Sequence, residues 1–478
     1  MITRILKTGT ILSMIALAGC SNLTETRYSR PDIAAENSWN GSATTSENSR
    51  ASDIAATQDW WQNFGDDQLD ALIARALERN NDLAAATIKV RKAQLTAGLA
   101  EDELYPDFSG GADASVSRDL DEDNGSTRSF GTNAGISYEL DLWGKLGHDY
   151  DAARWEALAT LEDRESTALS LIGTTATLYW QAVYYQQRLD IAQASIDYAQ
   201  QTLDLVDVQY ASGSTSSLEL FEARQNLESQ LADYTQIEQS LTETKNALSI
   251  LFDRPPGDIA IPRTTLPSDA LPDVAAGLPS ELLSRRPDVR AAELRLKESV
   301  SDLNSVKTSL LPTLTLTGDL GTSSDQLRNL LQNPIGTLGA SLALPFLNWN
   351  EGQLNIKVSE AEYEQAVAEF RQTAYEAMSD VENALSARTQ YDRRAARLEA
   401  ALDAARNAER IYETRFRSGA VAMQDWLDAQ ETRRTAEESV LANQLDRITN
   451  LITLYQALGG DATPANAQTS PAPDTSAA

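Results

Sequence analysis

Gln209-Tyr-Ala-Ser-Gly213-Ser-Thr-Ser-Ser-Leu-Glu219-Leu-Phe-Glu222-Ala223-Arg224 decides the fold. The stretch recurs as Arg415-Phe416-Arg-Ser-Gly419-Ala-Val-Ala-Met-Gln-Asp425-Trp-Leu-Asp428-Ala429-Gln430, 206 positions further on. Each copy reads as the end of a long helix, a Gly turn and the start of a second helix. Gly is the residue that permits a left-handed helix stop. An acid follows six and nine positions after the Gly in both copies. Asp82 and Asp288, Pro106 and Pro312, Trp143 and Trp349, and Leu248 and Leu454 all keep the same offset. The chain is therefore a tandem duplication, and each half helps to read the other.

Working outward from the tips, residues 144–210 carry no Pro and an apolar ladder at alternating spacings of three and four. It runs Ala168, Leu171, Thr175, Leu178, Ala182, Tyr185, Leu189, and the second half answers with Ala374, Ala377, Val381 and Ala384. That period is the signature of coiled-coil packing. Leu169, Ile172, Ala176, Tyr179 and Val183 form a second stripe, so the helix has two packed faces, as a ring of helices needs. Return helices are expected over 218–252 and 424–458. An opening helix is expected over 66–104.

Between the helices lie four segments with period-two alternation. Phe108, Ala112, Ala114 and Val116 share one face, as do Phe130, Ala134, Ile136, Tyr138 and Leu140. In the second half Leu314, Leu316 and Leu320 alternate with Thr and Asp, and Leu338, Ala340, Leu342, Leu344 and Phe346 follow. Strands are expected at about 106–118, 130–142, 312–320 and 335–347. A tilted membrane strand needs roughly 9–11 residues, and barrels start at about eight strands. Four strands cannot close a barrel alone, and an open edge is forbidden in lipid. If they span a membrane, several chains share one barrel, eight strands from two copies or twelve from three. A half-buried soluble sheet is the alternative.

Composition narrows the function classes. The 478 residues carry a formal charge of −30, which disfavours nucleic acid as a partner. A single His and a single Cys leave little room for Cys/His zinc sites or a Ser-His-Asp triad. Neither a catalytic residue nor a metal ligand nor a cofactor is expected, and the chain does not read as an enzyme. Residues 1–19 have the form of a signal peptide, with Arg4 and Lys7 before a short apolar run. Leu17-Ala18-Gly19-Cys20 resembles a bacterial lipobox, which implies cleavage before Cys20 and its lipidation. Ser21 after it implies delivery to the outer membrane. Residues 20–58 read as an extended lipidated lead-in. Residues 59–265 form the first repeat with its tip near 213, and residues 266–460 the second with its tip near 419. Residues 461–478 read as a disordered tail.

Tyr28-Ser-Arg-Pro31, Trp60-Trp61-Gln-Asn-Phe64-Gly-Asp66, Ser284-Arg285-Arg286-Pro287-Asp288-Val289-Arg290-Ala-Ala-Glu293 and the two Gly tips occur in this order. Together they resemble the TolC-like outer-membrane efflux channels, in the lipoprotein branch that serves resistance-nodulation-division (RND) pumps. The match covers nearly the whole mature chain. The resemblance implies a mainly α fold with a small β part. In it, three chains share a twelve-stranded β-barrel and a coiled-coil barrel of helical hairpins crosses the periplasm. It implies a passive duct for small molecules whose partners are an adaptor protein, an inner-membrane RND pump and outer-membrane lipid. The tips at Gly213 and Gly419 would dock the adaptor. Asp425 and Asp428 would form the periplasmic gate, with Phe416 as a constriction aromatic or a core position and Glu219 and Glu222 as secondary gate residues. Some family members latch the tip with an Arg two residues after the second Gly, where this chain has Val421. The duct of a type I protein-secretion system and a lipid-anchored coiled-coil scaffold without a pore are the competing readings.

Overall fold

The computed structural model describes residues 25–34, 39, 59–118, 126–267, 271–272, 274, 283–332 and 334–460. The signal peptide, Cys20 and the tail lie outside these residues. The order of elements is α1 (Asp67–Arg79), α2 (Asn81–Asp102), β1 (Asp107–Ser117), β2 (Thr127–Leu140), α3 (Lys145–Ala211), α4 (Ser217–Ile250), α5 (Pro287–Thr308), β3 (Thr313–Ser324), β4 (Pro334–Ala343), α6 (Trp349–Arg417) and α7 (Met423–Ala457). The fold is mainly helical with one small sheet, as the periodicities require. The duplication is visible in the elements: α2 and α5 each have 22 residues and start 206 positions apart, at Asn81 and Pro287.

The chain divides into two compact units. The first takes residues 88–162 and 290–373 with the N-terminal residues to Ile33. It holds the sheet, whose strands are antiparallel in the order β1-β2-β3-β4. Register sets the two faces. Phe108 pairs with Ile136, Ala114 with Phe130, Tyr138 with Leu316 and Leu316 with Ala340. One face is therefore apolar. Ser109 pairs with Gly135, Gly135 with Asp319, and Asp319 with Thr337, so the opposite face is polar. Among the described residues nothing covers the apolar face: Phe108 is 76% exposed and Leu338 93%. Trp143 ties the end of β2 to the start of β3 by donating from Nε1 to the Pro312 carbonyl at 2.8 Å.

Several strand limits depart from the expected ones: β2 starts at Thr127 rather than 130, and β3 runs on to Ser324 rather than ending at 320. β2 stops at Leu140 rather than continuing to 142. The Asp141 carboxylate accepts the backbone N–H groups of Leu146 and Gly147 at 3.3 and 2.9 Å, and so starts α3. β4 ends at Ala343, and Leu344 and Phe346 fall outside it because Pro345 cannot donate to a ladder and opens a short 3-10 turn instead.

In the same unit, residues 25–33 lie along α5. Thr26 exchanges backbone hydrogen bonds with the Asn304 side-chain amide, donating at 2.7 Å and accepting at 2.9 Å. Lys307 reaches the Thr26 hydroxyl at 2.8 Å. Tyr28 donates to Glu293 at 2.9 Å, and Arg30 pairs with the same carboxylate at 3.1 Å.

The second unit takes residues 34–87, 163–289 and 374–478 as far as they are described. Its core is built on the two stripes of α3. Ala168, Leu171 and Ala182 of one stripe and Ile172, Ala176, Tyr179 and Val183 of the other are all buried. Trp60 stacks on Tyr455 at 4.8 Å, and Trp180 is fully buried beside Phe64. Burying each such aromatic contributes about 2–3 kcal/mol. The expected single helix over 66–104 is two helices. Asn80 breaks it: its Oδ1 accepts the N–H groups of Asp82 and Leu83 at 2.9 and 3.0 Å, and its amide donates to the Leu251 carbonyl at 3.2 Å. An Asn at an N-cap satisfies donors that a continuous helix would have used internally. The second repeat breaks at the equivalent place, Arg286, where Pro287 takes the first helical position.

Asp66 is the polar centre of this unit. Its Oδ1 caps α1 by accepting from Gln68 and Leu69 at 3.0 and 3.1 Å. Its Oδ2 accepts from the Tyr179 hydroxyl at 2.8 Å and pairs with Arg263 at 3.0 Å. Burial first, then the bond to Asp66, push the Tyr179 phenol up from its ordinary range. The Arg263 guanidinium also lies 5.2 Å from the centre of the Trp180 ring.

Candidate functional site at the hairpin tips

Both tips end in the same stop. In the first, Ser214 donates to the Gln209 carbonyl at 2.8 Å and Gly213 to that of Tyr210 at 3.0 Å. In the second, Ala420 donates to Arg415 and Gly419 to Phe416, each at 2.8 Å. This is the Schellman pattern, and it needs a left-handed residue at the Gly. Both glycines have φ of 73°. Nothing lies within 4 Å of the place a Cβ would occupy on either, so a side chain meets backbone strain and no clash. Gly419→Ala is expected to destabilise the tip by about 1–2 kcal/mol. Faster hydrogen exchange of the amides at 415–420, with distant helices unchanged, checks this; unaltered exchange refutes it.

The acids six positions beyond each Gly start the return helices. Glu219 accepts from the Ser216 N–H at 3.1 Å and from its hydroxyl, while Ser216 Oγ accepts from Leu218 at 3.2 Å. The Ser216 hydroxyl lowers the Glu219 carboxyl below its usual range. Asp425 does half of the same job, accepting from the Ala422 N–H at 3.3 Å. The acids nine positions beyond are oriented less by the backbone. Asp428 accepts from the Gln424 amide at 2.7 Å. Glu222 is raised, by burial first and then by the charges of Glu219 and Asp428. The fold thus brings Glu219, Glu222 and Asp428, from two tips 200 residues apart in sequence, into one electrostatic neighbourhood. Asp425 and Asp428 are exposed.

Beneath these carboxylates sits a small apolar cluster of Val206, Leu220, Ala223, Met423 and Trp426. Phe416 belongs to it, stacked on Trp426 at 5.0 Å, with Tyr198 edge-on to the same ring at 6.1 Å. Leu220 and Trp426 are equivalent positions of the two repeats, so the duplication could have marked them as partners. Further along the hairpins Arg434 crosses from α7 to α4, donating to Gln230 at 2.8 Å and pairing with Asp233 at 2.9 Å. Arg433 pairs with Glu409 at 2.6 Å, and Arg188 with Glu438 at 3.0 Å. No local spacing signals these cross-helix pairs, and sequence reasoning missed them. Ionic ties between helices therefore exist although Val421, two residues after the second Gly, carries no charge.

Among the described residues no group of His, Cys, Asp or Glu could hold a metal ion, and no helix is long and apolar enough to cross a bilayer. The elements define a duplicated helical-hairpin protein with an open amphipathic sheet and acid-bearing tips. The outer membrane efflux protein model matches residues 72–252 and again residues 278–460, one copy per repeat, and the chain belongs to that family. It is 33% identical over 413 residues to the pyoverdine export outer membrane protein OpmQ of Pseudomonas putida, covering 84% of this chain and 88% of that protein. To the cation efflux system protein CusC of Escherichia coli it is 28% identical over 451 residues, covering 93% of this chain and 97% of CusC. The open-state crystal structure of the Neisseria gonorrhoeae MtrE outer membrane channel superposes with a TM-score of 0.79 at 28% identity, over 91% of this chain and 98% of MtrE.

Proposed function

We propose that three copies of this chain form the outer-membrane duct of a tripartite RND efflux system and that the duct passes small molecules outward without chemistry of its own. The observation that carries this is the sheet. It has an uncovered apolar face, a polar face and two unpaired edges, at β1 and β4. Such a sheet is stable in lipid only when neighbouring copies pair its edges. Three copies give twelve strands with the polar faces towards a lumen. Relatives are named for the export of pyoverdine, of cations, and of toxin and drugs, and small molecules are the cargo class that most of these names share. The inner-membrane pump supplies the energy, and the tips at Gly213 and Gly419 are where the adaptor docks. Cys20 carries the lipid that fixes the chain to the outer membrane, and Asp425 and Asp428, joined by Glu222, gate the periplasmic end.

Native mass spectrometry of the detergent-extracted protein, together with conductance in planar bilayers, tests the proposal. A three-copy mass and discrete channel events are expected. A monomeric mass, or trimers that stay silent with both the wild-type and charge-neutral tips, would favour the pore-less scaffold.

A further inference from the structure

Within one chain, α4 and α7 face each other through Leu220, Ala223 and Trp426 and through the Arg434–Asp233 pair. That leaves an outward face on α3 and another on α6. The α3 face is acidic. Asp190, Asp197 and Asp204 recur every seven residues and are exposed, and Asp207 follows. None has a cationic partner among the described residues; Asp197 and Asp204 accept from Gln193 and Gln200 on their own helix, each at 2.9 Å.

The α6 face has the opposite character. Arg393, Arg397 and Arg415 are exposed and share one side of the helix, since 4 and 18 residues are close to whole numbers of turns. None has an ion pair among the described residues. Other arginines of α6 and α7 do: Arg394 with Asp446, Arg406 with Glu437, Arg417 with Glu413 and Arg447 with Asp392. The chain has 70 acids against 40 bases, so an exposed row of arginines meets acidic surface on most other faces of a second copy. Between them the same side offers Ala400, Ala404 and Ile411, all exposed and mostly small, which lets another helix approach. The heights agree as well. Through the duplication Arg393 is equivalent to Gln187 and Arg415 to Gln209, so the basic stripe covers the stretch that bears Asp190 to Asp207.

We propose that the acidic face of α3 in one protomer packs against the arginine face of α6 in the next, closing the helical part of the ring by charge complementarity. The occupant is a second copy of this chain, and the inference rests on the trimeric reading above. A head-to-tail interface closes a ring when the rotation allows it, and opposite potentials fix its register and exclude like-to-like contacts. Val208, 69% exposed near the lower end of the acidic face, and Ile411 supply an apolar contact at that end.

Hydrogen exchange measured on the trimer fraction at low salt tests this, because it reports on the helices even while the barrel holds the copies together. Three variants are compared with the wild type: Arg393→Glu/Arg397→Glu/Arg415→Glu, Asp190→Arg/Asp197→Arg/Asp204→Arg, and all six changes combined. Circular dichroism checks that each keeps its helix content. Each triple variant is expected to speed exchange in 190–211 and 393–417 by about tenfold, the sum of several modest surface pairs turned repulsive. The combined variant restores the sign match and is expected to return to within about threefold of wild type. Wild-type exchange in both triples, or a combined variant worse than either, overturns the interface and leaves the trimer standing. A wild-type protein with no trimer fraction overturns both.

Discussion

Asp425→Asn/Asp428→Asn is expected to raise single-channel conductance about twofold and to cut the preference for cations over anions several-fold. The Asn replacements are chosen because the structure gives Asp425 a second task. It accepts the Ala422 N–H at the start of α7, and an amide oxygen can still do so. Charge is then the only property removed, and six carboxylates leave the tunnel mouth in a three-copy assembly. The pH dependence follows from Glu222. Burial and its acidic neighbours raise its carboxyl above the ordinary range. A raised carboxyl makes the ionised tip the costlier state, so that cost is present above the folded pKa and relieved as pH falls through it. Glu219, held low by the Ser216 hydroxyl, stays charged through the same window. Acidification from neutral pH should therefore act in the same direction as the double Asn variant, raising conductance and weakening the preference for cations, and Glu222→Gln should show the acid behaviour at pH 7. A double Asn variant with wild-type conductance and selectivity would show that these carboxylates serve only as helix starts.

Asp66→Ala should be the most destabilising single change in the second unit. Asp66 is 8% exposed and serves two backbone donors, a buried phenol and a guanidinium. Its removal costs a cap, leaves the Tyr179 hydroxyl without an acceptor and strands Arg263 over the Trp180 ring. Losing one partner of such a network costs about 3–5 kcal/mol. Asp66→Asn keeps an acceptor for the cap and should lose about half as much. Thermal unfolding followed by the helical signal in detergent, where both variants can be ranked, checks this. Equal melting temperatures for Ala and wild type would show that Arg263 and Tyr179 find other partners.

Much of this architecture is legible in sequence because it rests on local rules. The Gly turns, the period of the long helices and the strand alternation each need only a short window, and the duplication supplies a second copy of every signal. What escaped depends on distance. Asn80 sits in a periodic apolar segment and looks helical until its amide is seen reaching Leu251. Leu344 and Phe346 keep the alternation on either side of Pro345, so the pattern alone carries a strand past its true end. Phe416 fits both a lumen and a core; its ring choice was made by Trp426, ten residues on and across a turn. Arg434 meets Asp233 from the other repeat, and nothing near either residue announces the pair. The lumenal role proposed for Asp425 and Asp428 needs neighbouring copies, whereas their bonds to Ala422 and Gln424 are local.

The grip of Asn304 on Thr26 has a consequence for how deep the molecule sits. Thr26 lies six positions after Cys20, and an extended chain of that length reaches no further than about 20 Å. Asn304 and Lys307 lie in the last turns of α5, a few residues before β3 begins. With the lipid proposed on Cys20, the anchor would lie within that reach of the foot of the sheet. Acyl chains and strands would then enter the same leaflet at nearly the same level. Lengthening the chain between Cys20 and Thr26 would keep such an anchor but lose the depth it sets.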